Sequence, residues 1–343
     1  MRGSLAAGVD GSWVTALDAL VFDARRGSGG VSAKTGVAYH TVRSESPFPI
    51  AVTASSPASA PASTPDHSDC IAFIGGGNMA ASLIGGLVAA GHPATAIRVS
   101  EPDAARAAAL QERYGLVVAR DNVDAVTGAD IVVLATKPQQ VANAVRGLKL
   151  ASDTTLISIC AGVRIGSLRE LLGNESSPWG GAIVRSMPNT PALFGAGITG
   201  LHASDGASPR ARMQAETVLK AAGDVVWVER EALMDAVTAV SGSGPAYFFL
   251  LTEAMAEAGV ALGLTPDDAR KLALQTFIGA AKMAEGTGTD VVTLRANVTS
   301  KGGTTQAALE SLEADGFRRI MLTALQAADR RGAELGDELA ATI

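Results

Sequence analysis

The segment Asn297-Val298-Thr299-Ser300-Lys301-Gly302-Gly303-Thr304-Thr305-Gln306-Ala307-Ala308-Leu309-Glu310 sets four hydroxyls around two glycines just where a helical pattern begins. A helix start offers unpaired backbone N–H groups and a partial positive charge, so Thr299, Ser300, Thr304 and Thr305 crowd a turn suited to an anion. A second glycine-rich helix start, Gly75-Gly76-Gly77-Asn78-Met79, lies more than 200 residues earlier. Two such turns at opposite ends suggest a dinucleotide at one and a small carboxylate at the other. That pairing points to a reductase or dehydrogenase.

The residues that are missing narrow the chemistry. No histidine follows His202, and no lysine lies between Lys220 and Lys271. Carbonyl reduction needs a group such as His or Lys to protonate the oxygen. An imine nitrogen arrives already protonated, so hydride transfer to C=N depends more on positioning. A hydroxyl beside the nitrogen, such as that of Thr305, suffices to orient it.

These residues need elements to hold them. Cys70–Ile74 is an apolar run followed by Gly75-x-Gly77-x-x-Ala80 and a helical pattern to Ala90. Small residues there let backbone approach a pyrophosphate at the helix N-terminus. Ala96–Ser100 reads as a second strand, and Glu101 follows it about 20 residues past the glycine turn, as the dinucleotide fingerprint requires. A carboxylate at that point favours a ribose diol over a 2′-phosphate; the bland reading is a solvated loop acid. Ser100 beside it can donate to either. Pro102 to about Tyr114 is helical. Ile131–Ala135, Thr155–Cys160 and Ala182–Ser186 are further strands, each ending in Gly, Pro or Asn turns, where ligands bind in parallel βαβ sheets.

After about Glu229 the strand pattern stops. Glu231–Val240, Tyr247–Leu262, Pro266–Glu285, Thr304–Ala314 and Phe317–Leu339 read as helices. Thr265 caps the third of them, with Pro266 in its first turn. Several are apolar on more than one face and call for burial against another subunit. Ser241-Gly242-Ser243-Gly244-Pro245-Ala246-Tyr247 has two readings: a hinge with good caps, or a helix start packed on cofactor or substrate.

The chain has 343 residues, 47% hydrophobic, with a formal charge of −6, and this length implies two domains. The acidic balance and 4% aromatic content argue against nucleic acid as a partner. The histidines show no metal-ligand spacing, and no apolar run reaches membrane-spanning length. Two cysteines, Cys70 and Cys160, imply no disulfide framework and a reducing compartment, the cytoplasm. Residues 1–66 differ from the rest: Ala54–Pro65 contains only Ala, Ser, Pro and Thr, and the segment is read as a disordered extension or linker.

Over roughly residues 70–340 the chain resembles the pyrroline-5-carboxylate reductases. The most specific match is Asn297–Glu310 with Glu313. Gly75–Met79, Ala135-Thr136-Lys137-Pro138, Cys160-Ala161-Gly162, Met187-Pro188-Asn189-Thr190-Pro191 and Ser241–Tyr247 support it in the same order. The resemblance implies an α/β fold: an N-terminal Rossmann-type parallel sheet domain at 67–229, then an all-α substrate-binding and dimerisation domain at 230–343. It implies dimers that build a decamer, and NADPH or NADH as cofactor. Carried over by position, Gly75, Gly77, Asn78, Met79, Ser100, Asn122, Ala135, Thr136, Lys137, Pro138, Cys160, Ala161 and Gly162 contact the cofactor; Glu101 joins them on its spacing alone. Met187 and Asn189 shape the nicotinamide pocket. Val298, Thr299, Ser300, Gly302, Gly303, Thr304 and Thr305 bind the substrate carboxylate, with Ser300 and Thr305 as catalytic hydroxyls and Thr305 beside the ring nitrogen. The product would be L-proline. Two positions depart from the family: Lys301 stands where proline is common, and Glu101 where many members carry a small or basic residue. Lys301 would either assist anion binding or be solvated; Glu101 leaves the choice between NADPH and NADH open. A β-hydroxyacid dehydrogenase of similar layout would need a lysine early in the first long helix, where Tyr247, Phe248 and Phe249 stand. A non-catalytic relative would be expected to lack the hydroxyls of Ser300 and Thr305.

Overall fold

The structure, a computed structural model, describes residues 69–173 and 177–342. The extension read at 1–66 lies outside the described residues.

Eight strands form one sheet: β1 (Ile71–Ile74), β2 (Ile97–Ser100), β3 (Val117–Val118), β4 (Ile131–Leu134), β5 (Thr155–Ser158), β6 (Ala182–Met187), β7 (Gly197–Ala203) and β8 (Gly223–Trp227). Their order is β3-β2-β1-β4-β5-β6-β7-β8. All pairs are parallel except β6 with β7. The first six strands follow the order of dinucleotide-binding sheets, with β1 and β4 side by side at the switch point where ligands bind.

The central strands are apolar throughout because both faces are covered. Ile71, Phe73, Val99 and Val133 face α1 (Asn78–Ala89) and α2 (Ala104–Tyr114) through Leu83, Ile84, Leu87 and Leu110. Ala72, Ile74, Val132, Leu134 and Leu156 face the other side, with α3 (Asn122–Val126), α4 (Val141–Val145) and α5 (Ile165–Leu172). Then α6 (Pro209–Lys220) packs beside β8. Helix α1 lies so close to the end of α6 that a Cβ on Gly86 would stand 1.8 Å from the Ala221 carbonyl oxygen. Alanine gains ~1 kcal/mol over glycine from helix propensity, but a backbone clash costs more. Gly86→Ala is expected to lose about 2–4 kcal/mol, lowering Tm by roughly 5–15 °C in a thermal melt. A Tm that holds or rises would show that the end of α6 yields.

The helical part comprises α7 (Leu233–Val237), a π-helical turn at Thr238–Gly242, α8 (Gly244–Ala261), α9 (Pro266–Thr287), α10 (Val291–Asn297), α11 (Thr304–Ala314) and α12 (Phe317–Ala340). Thr265 caps α9 by accepting from Asp268 N–H, as its sequence indicates. Helices α8 and α9 pair closely, with Phe248 stacked on Phe277 at 5.6 Å. Otherwise this arm buries little. Only Gly244 of α8, Ala269 and Ala273 of α9, and no residue of α10 or α11 are buried in the single chain. By contrast α12 returns to α7 and the π turn, and Arg164 ties it to the sheet through Asp337 at 2.7 Å.

Three differences from the sequence reading stand out. The sheet is not purely parallel, because β7 runs against β6. Strands β3, β7 and β8 and helix α10 were not anticipated. The helix placed at Glu231–Val240 gives way to the π turn, and α8 starts at Gly244 rather than Tyr247.

Candidate active site

The turn after β1 is built on glycine for a steric reason. Gly75 has φ +97°, and a Cβ there would fall 2.6 Å from the Ala135 carbonyl oxygen at the end of β4. Its N–H donates to Ser100 O at 2.8 Å, joining the ends of β1 and β2. Gly77 caps α1 in an extended conformation with no side-chain cap bond. The amides of Asn78 and Met79 at the first turn thus remain available to a phosphate.

Glu101 is not a solvated loop acid. Its Oε2 accepts from Gly76 N–H at 2.8 Å, its Oε1 accepts from Asp103 N–H at 3.0 Å, and Arg106 lies 3.6 Å away. Its side chain is only 6% exposed. The carboxylate therefore braces the glycine turn. Ser100 donates its hydroxyl to Asn122 Oδ1 at 2.6 Å, and Asn122 Nδ2 donates to Ala144 O at 2.8 Å. These two side chains bind the sheet to its helices, so their polar atoms already serve the framework.

The ends of β4 and β5 are joined by Cys160. Its buried thiol donates to Leu134 O at 3.4 Å and Thr136 O at 3.2 Å. Burial pushes the thiol's pKa up, against the hydrogen bonds of Thr136 and Ser158, so it is a structural fastener, not a nucleophile. Lys137 precedes a 3-10 turn that begins at Pro138. Pro138, Ala161 and Gly162 line a cavity of about 300 Å³ together with Asp235, Thr238 and Leu339. Gly162 has φ +76°, and a Cβ on it would approach Leu339 Cδ1 to 3.1 Å. Burial raises the Asp235 pKa, opposed by the charges of Arg185 and Arg164. Arg185 itself is held by Glu231 at 3.2 Å and Asp235 at 3.5 Å. Asp235 and Thr238 escape sequence reasoning, because they look like ordinary polar positions on a helix.

The end of β6 meets the Ser241–Tyr247 segment. Asn189 Nδ2 donates to Ser241 Oγ at 3.2 Å, while its Oδ1 accepts from Ile198 N–H at 3.0 Å. Met187 Cε sits 2.6 Å from where a Cβ on Gly242 would be. Tyr247 donates its hydroxyl to Ala239 O at 3.1 Å, fastening α8 to the π turn. The Ser241–Tyr247 segment thus packs directly on Met187 and Asn189.

The Val298–Thr305 turn is partly closed on itself. Thr299 Oγ1 donates to Arg295 O at 2.6 Å, Gly302 N–H donates to Gln306 Oε1 at 2.7 Å, and Gly303 N–H donates to Ser300 O at 3.0 Å. Those three donors are therefore engaged within the turn, which narrows the anion-facing set expected from sequence. Gly303 starts α11 with no side-chain cap. The amides of Thr304 and Thr305 and the hydroxyls of Ser300, Thr304 and Thr305 make no hydrogen bond among the described residues. Val298 is 54% exposed, and Lys301 is exposed without an ion pair among the described residues. No hydrogen bond or ion pair among the described residues joins 297–313 to the sheet, so the two anion turns are not linked by such bonds in one chain.

Two stretches of the chain match known family models. Residues 231–335 match the family model described as pyrroline-5-carboxylate reductase dimerisation, and residues 70–162 match NADP oxidoreductase coenzyme F420-dependent. A pyrroline-5-carboxylate reductase of Pseudomonas aeruginosa is 47% identical over 271 residues, covering 78% of this chain and 97% of that protein. The structure of one from Coxiella burnetii is 40% identical with TM-score 0.73, covering 78% of this chain and 98% of that one. A Plasmodium falciparum pyrroline carboxylate reductase with NADP bound is 30% identical with TM-score 0.65, covering 79% and 99%.

Proposed function

The chain belongs to the pyrroline-5-carboxylate reductase family, and from that premise we propose that it reduces the cyclic imine of 1-pyrroline-5-carboxylate to L-proline with NADPH or NADH. The observation that carries this is the turn at Ser300–Thr305: the unbonded amides of Thr304 and Thr305 and the unbonded hydroxyls of Ser300, Thr304 and Thr305 among the described residues, gathered at the start of α11. The chain carries the family's dimerisation domain and forms a homo-oligomer. We assign 67–229 to the cofactor and 230–343 to substrate and dimer contact. The further assembly of dimers into a decamer, and a cytoplasmic location, belong to the same proposal. Free Cys70 and Cys160 are compatible with a reducing compartment, and none of the described helices is long and apolar enough to cross a membrane.

The glycine turn fits a dinucleotide. The space beside Gly77 is open, and the uncapped start of α1 presents amides to a pyrophosphate. Bound there, the reduced nicotinamide supplies the hydride. The chain's residues do the rest. Thr304 and Thr305 amides hold the substrate carboxylate, and the Thr305 oxygen accepts from the iminium N–H. The Ser300 hydroxyl adds a donor to the carboxylate. Met187, Asn189 and the Ser241–Gly244 segment wall the nicotinamide side and exclude water. No acid is required, because the nitrogen carries its proton before reduction. Loss of reduced-nicotinamide absorbance on adding pyrroline-5-carboxylate tests the assignment. No turnover with either cofactor would refute it.

Glu101 gives a test of cofactor choice. Glu101→Ser removes a negative charge from the ribose side and frees Arg106 for a 2′-phosphate. It also removes the acceptor for Gly76 N–H, so KM should rise for both cofactors. The ratio of kcat/KM for NADPH over NADH is expected to increase about 5–20-fold. An unchanged ratio would mean that Glu101 serves the turn alone.

A further inference from the structure

We propose that Gln306 and Glu310 form a side-chain brace that fixes the shape of the substrate turn, making Gln306 a positioning residue for the imino-acid carboxylate. The proposal rests on the reading of Val298–Thr305 as that turn. Gly302 sits in the left-handed region at φ +70°, and its N–H donates to Gln306 Oε1 at 2.7 Å. The other end of the same amide, Gln306 Nε2, donates to Glu310 Oε1 at 2.7 Å.

The direction of this relay matters. A glutamine amide can turn over and exchange its donor and acceptor ends. An ionised Glu310 can only accept, so it selects the orientation that aims Oε1 at Gly302. The four-residue spacing on α11 brings the two side chains together. A usual capping box reaches from the third helical residue back to the N-cap amide. Here the third residue, Gln306, reaches one further, to the residue before the cap.

The consequence falls on the donors left for the substrate. Gly302 N–H goes to Gln306 and Gly303 N–H goes to Ser300 O, so the amides of Thr304 and Thr305 remain for a carboxylate. Two adjacent glycines would otherwise let the turn sample many shapes, and each binding event would have to order it. The brace does that ordering in advance.

The test uses the intact oligomer and separates positioning from mere helix stability. Gln306→Leu is expected to raise KM for pyrroline-5-carboxylate about 3–10-fold, leaving kcat and the cofactor KM within about twofold. Glu310→Ala should raise it by a smaller factor. Glu310→Gln, which keeps an acceptor for Gln306 Nε2 but can also donate and so no longer selects the orientation, should fall between Glu310→Ala and the wild type. Deuterium uptake over the peptide 298–306 should rise in Gln306→Leu and rise less in Glu310→Gln. An unchanged KM in Gln306→Leu, parallel rises in both KM values, equal effects of Glu310→Ala and Glu310→Gln, or unchanged uptake would each overturn the proposal. An inactive wild type would defeat the substrate reading instead, and the uptake comparison would still decide the brace.

Discussion

Thr305→Ala is expected to lower kcat/KM for pyrroline-5-carboxylate by roughly 5–150-fold, the range for losing one hydrogen bond of about 1–3 kcal/mol to a charged group. Thr305 is the second residue of α11, so its amide is one of the donors that the helix itself leaves unpaired. Alanine keeps the amide and the helix and deletes only the hydroxyl, which is bonded to no described residue. A folding defect is therefore not anticipated, and the melting temperature serves as the control. Because the hydroxyl is assigned to the iminium N–H, the loss should appear mainly in kcat. Thr305→Ser, which retains the oxygen, should recover most of it. Wild-type kinetics in Thr305→Ala would remove Thr305 from the mechanism. A pure KM effect would move it from the nitrogen to the carboxylate.

The chemistry was legible where local backbone demands a residue type. Gly75 is needed because no side chain fits against the Ala135 carbonyl, and the paired glycines before Thr304 announce a helix start without a cap. Continuous apolar runs such as Ile131–Leu134 revealed strands buried on both faces. What stayed hidden depends on contacts distant in sequence. Strand β7, Gly197–Ala203, is interrupted by Gly200 and His202, and it is a strand because β6 and β8 flank it. Gly200 is required because Val237 of α7 packs on it, where a Cβ would meet Cγ1 at 2.4 Å. Helix α10 follows a good cap, with Asp290 accepting from Val292 and Thr293, but its run of β-branched residues masks the helical pattern. Glu101 draws notice by its spacing from the glycine turn, but its bond from Gly76 N–H shows only in three dimensions. The Gln306–Glu310 brace has the spacing of any surface helical pair and carries no signal of its own.

Phe249→Glu is expected to convert the protein to monomers at micromolar concentration and to reduce turnover at least about 100-fold. The argument begins with an imbalance in the single chain. Helix α8 carries Tyr247-Phe248-Phe249-Leu250-Leu251, yet Phe249 is 63% and Leu250 64% exposed. Val291 and Val292 of α10 are 69% and 61% exposed, in an arm that buries almost nothing of its own. An apolar surface of this extent is an interface. The family's dimerisation domain at 231–335 names the partner as a second copy. In a two-fold dimer every interface substitution occurs twice. A glutamate forced into an apolar contact costs about 3–5 kcal/mol, so two copies cost roughly 6–10 kcal/mol and raise the dimer Kd by more than about 10⁴-fold. Activity should follow, because the substrate turn is bonded to no strand of its own chain and lies on the arm that the partner must cover. Light scattering gives the mass, and circular dichroism should show helix content unchanged, since Phe249 is exposed in the isolated chain. A dimeric, active Phe249→Glu would place the interface on another face of the arm. A monomeric but fully active one would show that a single chain completes the site unaided.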